Sequence, residues 1–365
     1  MRLAIPHAFA AGAAALLWTA YIQAAAASIP AVVAEDKGQT VFGVHVQESD
    51  MISDKGPRPL VIWHGLGDTA LSDGISGFIE DIKDIYPAIF VHSVQVPING
   101  SLDDERRAGF WGNAEEQGRQ GCEQLASISE LEGGFDAIGF SQGGLFMRYY
   151  VQYCNDPPVR NLVTFGTPHF GIAALIPCPT PPTLSCLLAA RAARSGIYKP
   201  WTQRNLVQAA YFRDTERLDE FWEVNEFVRD LNGEKGKGQS AGVSDGDDDK
   251  KWKGKNGAGK GLGGLETFVA IQFADDRTVS PAQSSHFGTY IPGSKDKETI
   301  IPITDQPIYN QTDEIGLRKL NKAGRLKLLF CPGAHMEIGG EDGCGLRMVR
   351  DWIGWGRERE RDDTS

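Results

Sequence analysis

Short apolar runs rich in β-formers recur along the chain, with segments of helical period between them. PLVIWHG (59–65), IFVHSVQV (89–96), FDAIGF (135–140) and RNLVTFG (160–166) read as buried strands. Residues 72–85, 113–128 and 142–153 carry apolar side chains at helical spacing. This alternation requires an α/β fold, a mostly parallel sheet with helices on both faces. ETFVAIQF (266–273) and LKLLFC (326–331) add two late strands, and GLRMVRDWIGW (345–355) a closing helix. Residues 171–232 break the pattern. They are proline-rich and then helical, with Tyr198, Trp201, Tyr211, Phe212, Phe221, Trp222 and Phe227, and read as a helical insertion above the sheet before the late strands. Residues 233–264 are glycine, lysine and aspartate with almost nothing to bury, so a disordered surface loop is expected there. The tail 357–365 reads as solvated.

The first 27 residues carry a cation at Arg2, an apolar stretch and then small residues, the pattern of a cleaved signal peptide, which leaves a domain over 28–356. The strongly apolar part is short for a span of about 20 residues, so no stable membrane anchor is expected. The expected location is the secretory pathway, then a lysosome or vacuole or the extracellular space. A net charge of -11 excludes nucleic acid as a partner. In that pathway six cysteines point to disulfides. Proximity pairs Cys178 with Cys186 and Cys331 with Cys344, leaving Cys122 with Cys154. The sequons at Asn99 and Asn310 are expected glycosylation sites.

Gly139-Phe-Ser-Gln-Gly143 fits G-x-S-x-G between a predicted strand and a predicted helix, which makes Ser141 the candidate nucleophile. Its base must follow in the chain, and His335 lies four residues beyond a strand end. His286 has no strand aimed at the same place. Asp275 and Asp276 both follow the strand at 266–273, and spacing alone leaves open which is the acid. The Gln142 N–H, at the start of the helix, is one candidate oxyanion donor. The other is the Leu66 N–H in WHGLGD (63–68), where Gly65 allows close approach. His64 reads as a structural residue of that loop, and His169, in GTPHFG, as part of the site's rim.

LVIWHGLGD, GFSQGGLFMR, YCNDPPVRNLV, NLVQAAYFRD and VAIQFADDRTVSP are similar to segments of the palmitoyl-protein thioesterases, lysosomal members of the α/β-hydrolase fold. ETIIPITDQPIYNQTDEIGLRKLNKAGRLKLLF extends the resemblance, which spans about residues 59–340. It implies Ser141 as nucleophile, Asp276 as acid, His335 as base, and Leu66 and Gln142 as oxyanion donors. It also pairs Cys122 with Cys154 and Cys178 with Cys186. The implied activity is hydrolysis of palmitoyl thioesters from S-acylated proteins or peptides, with long-chain acyl-CoA as a side substrate and no metal or organic cofactor. The aromatic and aliphatic residues of 171–232 are the candidate walls of an acyl groove. Three features depart from the family: the low-complexity loop, the Cys331 and Cys344 pair, and Thr69-Ala70 where Ser-Cys is expected. GTPHFG is closer to general lipases. The rival readings are a lipase or carboxylester hydrolase with the same three residues, and a non-catalytic lipid-binding carrier.

Overall fold

A computed structural model describes residues 56–175, 193–234, 261–340 and 343–354. The expected signal segment, the Cys178–Cys186 pair, most of the 233–264 loop and the polar tail lie outside the described residues. The main sheet has the strand order β2-β1-β3-β4-β5-β8 and is parallel throughout. Its strands are β1 Leu60–Trp63, β2 Val91–Ser93, β3 Phe135–Phe140, β4 Val159–Phe165, β5 Thr267–Phe273 and β8 Leu326–Cys331. A separate antiparallel pair joins β6 (Thr289–Tyr290) to β7 (Ile300–Ile301). The chain thus has the parallel sheet that its alternating pattern required, in the α/β-hydrolase fold that the resemblance implied.

Successive side chains of a strand point to opposite faces, and both faces here are covered. Leu60 and Ile62 of β1 pack with Ile138, Val163 and Ile271 on one face, against α1 (Asp73–Ile85) and the closing helix. Val61 and Trp63 pack on the other with Ala137 and Leu162, against α3 (Ala114–Ala126) and α4 (Gln142–Tyr149). Trp63 stacks on Phe146 of α4 at 4.9 Å between ring centres. Each fully buried Leu, Ile or Phe of these strands contributes about 1.5–3 kcal/mol.

One local reading changes, and one helix was not anticipated. Strand β2 is three residues long rather than eight, because among the described residues it is an edge strand whose only partner, β1, has four residues. The charged stretch 102–110, which shows no helical stripe, forms α2 (Leu102–Phe110), started by a capping box between Ser101 and Asp104. The insertion is helical, with short helices α5 (Pro200–Asn205), α6 (Leu218–Val224) and α7 (Phe227–Leu231). Later come α8 (Leu317–Lys322) and the closing helix α9 (Cys344–Trp352).

The sheet runs outward in both directions from β1, with β2 on one side and β3 on the other. That reversal opens a crevice beyond the carboxyl ends of β1 and β3, where open α/β sheets hold ligands. The loop after β1 carries Gly65 and Leu66, and the turn after β3 carries Ser141.

Candidate active site

Ser141 sits between β3 and α4 with φ 49 and ψ -120, a strained conformation for a residue with a Cβ. Such strain costs about 1–3 kcal/mol and persists only where neighbours enforce it. The Ser141 N–H donates to Phe165 O at 2.7 Å, tying the turn to β4. Glycines let the first turn of α4 lie against the sheet. A Cβ on Gly139 would overlap Gly144, and one on Gly143 would overlap the carbonyls of Trp63 and His64.

His335 reaches Ser141 from the loop after β8. Its Nδ1–H donates to Asp276 Oδ2 at 2.7 Å, and its Nε2 accepts from Ser141 Oγ at 3.0 Å. The other carboxylate oxygen of Asp276 accepts the N–H groups of Thr278 (2.9 Å) and Val279 (3.0 Å), so the carboxylate cannot rotate freely. Of the two aspartates left open by spacing, Asp276 is the one that meets the histidine. Asp275 is exposed. Gly166, in the left-handed region at φ 55, makes room for the imidazole: a Cβ there would come within 2.9 Å of His335 Cε1. The Cys331–Cys344 disulfide closes the loop that carries His335, and Cys122–Cys154 ties α3 to the π-helical turn Tyr150–Cys154 that continues α4.

The candidate oxyanion donors flank this serine. Gln142 is the first residue of α4, where N–H groups have no intrahelical partner. Within the described residues, neither the Leu66 nor the Gln142 N–H donates to another protein group. The Gln142 side chain is buried; its Nε2 donates to Gly109 O at 3.1 Å, and its Oε1 accepts from Tyr211 Oη at 2.9 Å.

Three other histidines make different contacts. His286 Nε2 faces the carbonyls of Ala270 and Leu329, and burial lowers its pKa below 6.5. His64 turns to Glu105, at 2.9 Å. His169 corrects an expectation: it is fully buried, not on the rim. Its N–H donates back to Thr167 O, which turns Pro168 toward the site and the imidazole inward. There Nε2 lies 2.8 Å from Thr164 Oγ1 and the ring stacks on Phe287. Burial and then the nearby Arg148 guanidinium hold its pKa well below 6.5. Asn99 and Asn310, the two sequon asparagines, are exposed.

A cavity of about 650 Å³ opens at Ser141, His335, Gly65 and Leu66. That lies within the usual 300–1,000 Å³ of small-molecule sites. Its apolar walls are Ile75 and Phe78 from α1, Ile172 and Leu175 from the start of the insertion, and Met336 and Ile338 from the histidine loop. Tyr211 is the one insertion aromatic on the wall. Tyr198, Phe212, Phe221 and Phe227 instead join the core on the α3–α4 face of the sheet, with Phe227 against Phe146 and Tyr149 of α4, because helices this short need tertiary packing to hold. The α1 wall was missed from sequence, since a stripe at helical spacing reads as core. Glu105, buried on α2, was missed because its surroundings are charged. The Ser101–Asp104 capping pattern was the available signal for that helix.

The family model described as palmitoyl protein thioesterase matches residues 59–335. Palmitoyl-protein thioesterase 1 of Caenorhabditis elegans is 31% identical over 281 residues, 77% of this chain and 87% of that protein. A palmitoyl-protein thioesterase-dolichyl pyrophosphate phosphatase fusion of Schizosaccharomyces pombe is 31% identical over 296 residues, 80% of this chain but 44% of the fusion. Palmitoyl-protein thioesterase 3 of Dictyostelium discoideum is 27% identical over 288 residues, covering 79% of this chain and 88% of its own length. With the family match running from β1 to His335, the chain belongs to the palmitoyl protein thioesterase family and is a thioester hydrolase.

Proposed function

We propose that the chain removes palmitoyl and similar long acyl groups from cysteine thiols of proteins or peptides, with Ser141 as nucleophile. The observation that carries this reading is the hydrogen-bonded series Ser141–His335–Asp276, opening on an apolar cavity beside two amides that no described residue accepts from. Ser141 Oγ bonds to the thioester carbonyl carbon while its proton passes to His335 Nε2. Asp276 holds the hydrogen on Nδ1 and stabilises the imidazolium. The Leu66 and Gln142 N–H groups receive the oxyanion, each worth about 3 kcal/mol in the transition state. The C–S bond then breaks, and the thiolate leaves with the proton from Nε2. Water, deprotonated by the same nitrogen, attacks the acyl-serine and releases the fatty acid.

Chain-length preference resides in the walls from α1, Ile172, Leu175 and the histidine loop, since each buried methylene contributes about 0.8 kcal/mol. Asp68, Asp73 and Asp81 also line the cavity. Their charge disfavours the polyphosphate of acyl-CoA relative to an S-acylated peptide. Two disulfides and the exposed sequon asparagines support an oxidising, lysosomal or secretory setting. No helix among the described residues is long and apolar enough to cross a membrane.

The test compares turnover of an S-palmitoylated peptide with its O-palmitoyl counterpart, across acyl lengths, in wild type and Ser141→Ala. Thioester turnover that exceeds oxygen-ester turnover and vanishes in Ser141→Ala is expected. Equal or greater oxygen-ester turnover would favour a lipase, and acyl binding without turnover a carrier.

A further inference from the structure

The loop that offers the Leu66 N–H is held by a buried pair outside the reacting groups. His64 Nδ1–H donates to the carbonyl of Gly65 at 2.9 Å, and the Asp68 N–H donates to the same oxygen at 3.3 Å. On its other side, His64 Nε2 lies 2.9 Å from Glu105 Oε1, with one hydrogen shared between the two atoms, carried by the ring or by the carboxyl group. That oxygen also accepts the Ala70 N–H, at 2.8 Å, at the far end of the loop. Glu105 is 1% exposed, and its second oxygen, Oε2, has no hydrogen-bond partner among the described residues. A buried carboxylate with an unpartnered oxygen is costly, and an apolar residue would fill the same space without that cost.

The Gly65 carbonyl and the Leu66 N–H belong to one peptide unit. That unit is planar and trans, so its oxygen and its hydrogen point in opposite directions. Whatever fixes the carbonyl therefore aims the amide. We propose that His64 and Glu105 are positioning residues for the reaction: together they aim the Leu66 N–H at the oxyanion. Glu105 holds His64, His64 holds the Gly65 carbonyl, and the peptide plane carries that orientation to the amide of Leu66, which lines the same cavity as Ser141. Glu105 also fixes Ala70, so the loop from 65 to 70 is pinned at both ends by one residue of α2. Gly109, one helical turn further along α2, packs against this loop: a Cβ there would lie 3.2 Å from Gly67 N. The proposal rests on the reading of Ser141 as nucleophile and Leu66 as oxyanion donor.

The test measures kcat and KM for an S-palmitoylated peptide in Glu105→Ala, His64→Ala, Ser141→Ala and wild type. It also measures affinity for a palmityl trifluoromethyl ketone, which forms a tetrahedral adduct with an active serine. A mis-aimed donor acts on the transition state alone. Removing an oxyanion donor outright costs about 10²–10³ in kcat, so a donor left in place but mis-aimed should cost about 10- to 100-fold. KM should stay within about threefold, and affinity for the ketone should fall by the same factor as kcat/KM. A purely structural role would lower the melting temperature without that proportionality. Folded Glu105→Ala with wild-type kcat, or with a loss confined to KM, would overturn the role of the pair and leave the Ser141 reading intact. Should Glu105→Ala not fold, His64→Ala decides by the same ratios. Undiminished turnover by Ser141→Ala would instead overturn the underlying reading.

Discussion

Replacing Asp276 by Asn should disable the enzyme through the tautomer of His335, and the direction can be worked from hydrogen bonds. The new amide must choose which end meets the histidine. Thr278 and Val279 both donate N–H groups to Oδ1, so the amide oxygen is drawn to that side. The NH₂ then faces His335 Nδ1, which must act as acceptor, and the ring hydrogen moves to Nε2. A protonated Nε2 cannot take the proton of Ser141. The opposite orientation leaves the buried Val279 N–H and the part-buried Thr278 N–H facing an NH₂, at about 1–3 kcal/mol for the buried one. Even about 2 kcal/mol favours the inactive tautomer roughly 30-fold. Losing the carboxylate also removes the charge that stabilises the imidazolium, and the equivalent change in a serine protease triad lowers kcat by about 10⁴. The assay is kcat for an S-palmitoylated peptide, with the melting temperature as control. A fall of about 10³- to 10⁴-fold is expected, with melting changed by only a few degrees because the residues are isosteric. Asp275→Asn, at an exposed position, should stay within about twofold of wild type. Asp276→Asn within tenfold of wild type, or an equal loss in Asp275→Asn, would refute the assignment.

Gly166→Ala forces a Cβ into the left-handed region and to within 2.8 Å of Met336 Cε and 2.9 Å of His335 Cε1. It should lower kcat by about 10²-fold through displacement of the imidazole, with KM little changed in steady-state assays. Gly77 lines the cavity from α1 and has open space where a Cβ would stand, so Gly77→Phe should shorten the longest acyl chain accepted. Each methylene excluded should cost about fourfold in kcat/KM along a chain-length series. Removing the Cys331–Cys344 bridge, with 13 residues of separation, should cost about 3 kcal/mol in thermal unfolding and reduce kcat by loosening the His335 loop. Removing Cys122–Cys154, with a separation of 32, should cost slightly more in stability but spare kcat of the folded enzyme. His169 is held neutral in the fold, its pKa well below 6.5 through burial, whereas the unfolded chain takes up that proton near 6.5. Acidification below about pH 6.5 therefore favours unfolding by up to about 1.4 kcal/mol per pH unit. His169→Gln should flatten that slope in melting curves measured from pH 7 to 4.5.

The parts legible in the sequence are those where one residue type has one job. β3 and β8 coincide with their apolar runs: β3 is buried along its whole length, and β8, though half-exposed at the sheet edge, keeps the same apolar character. Ser141 was visible because its turn needs glycines at fixed offsets, and His335 because chain order leaves few candidates. Two nearby positions were illegible for geometric reasons. Asp275 and Asp276 differ only in which way a turn points them, and His169 differs from Pro168 only by a local reversal of the chain. The cavity walls were illegible because Phe78 of α1 and Phe221 of α6 have the same apolar character, though one faces the cavity and the other a core. Glu105 was hidden among the charges of 102–110, since burial of a carboxylate depends on a partner, His64, from a distant loop.

Mass spectrometry of enzyme quenched during turnover of an S-palmitoylated peptide tests the central assignment most directly. A palmitoyl ester should be found on Ser141, formed within one turnover and absent from Ser141→Ala, which should also be inactive. Turnover with no acyl group on the enzyme, or an acyl group on another residue whose replacement stops the reaction, would contradict it.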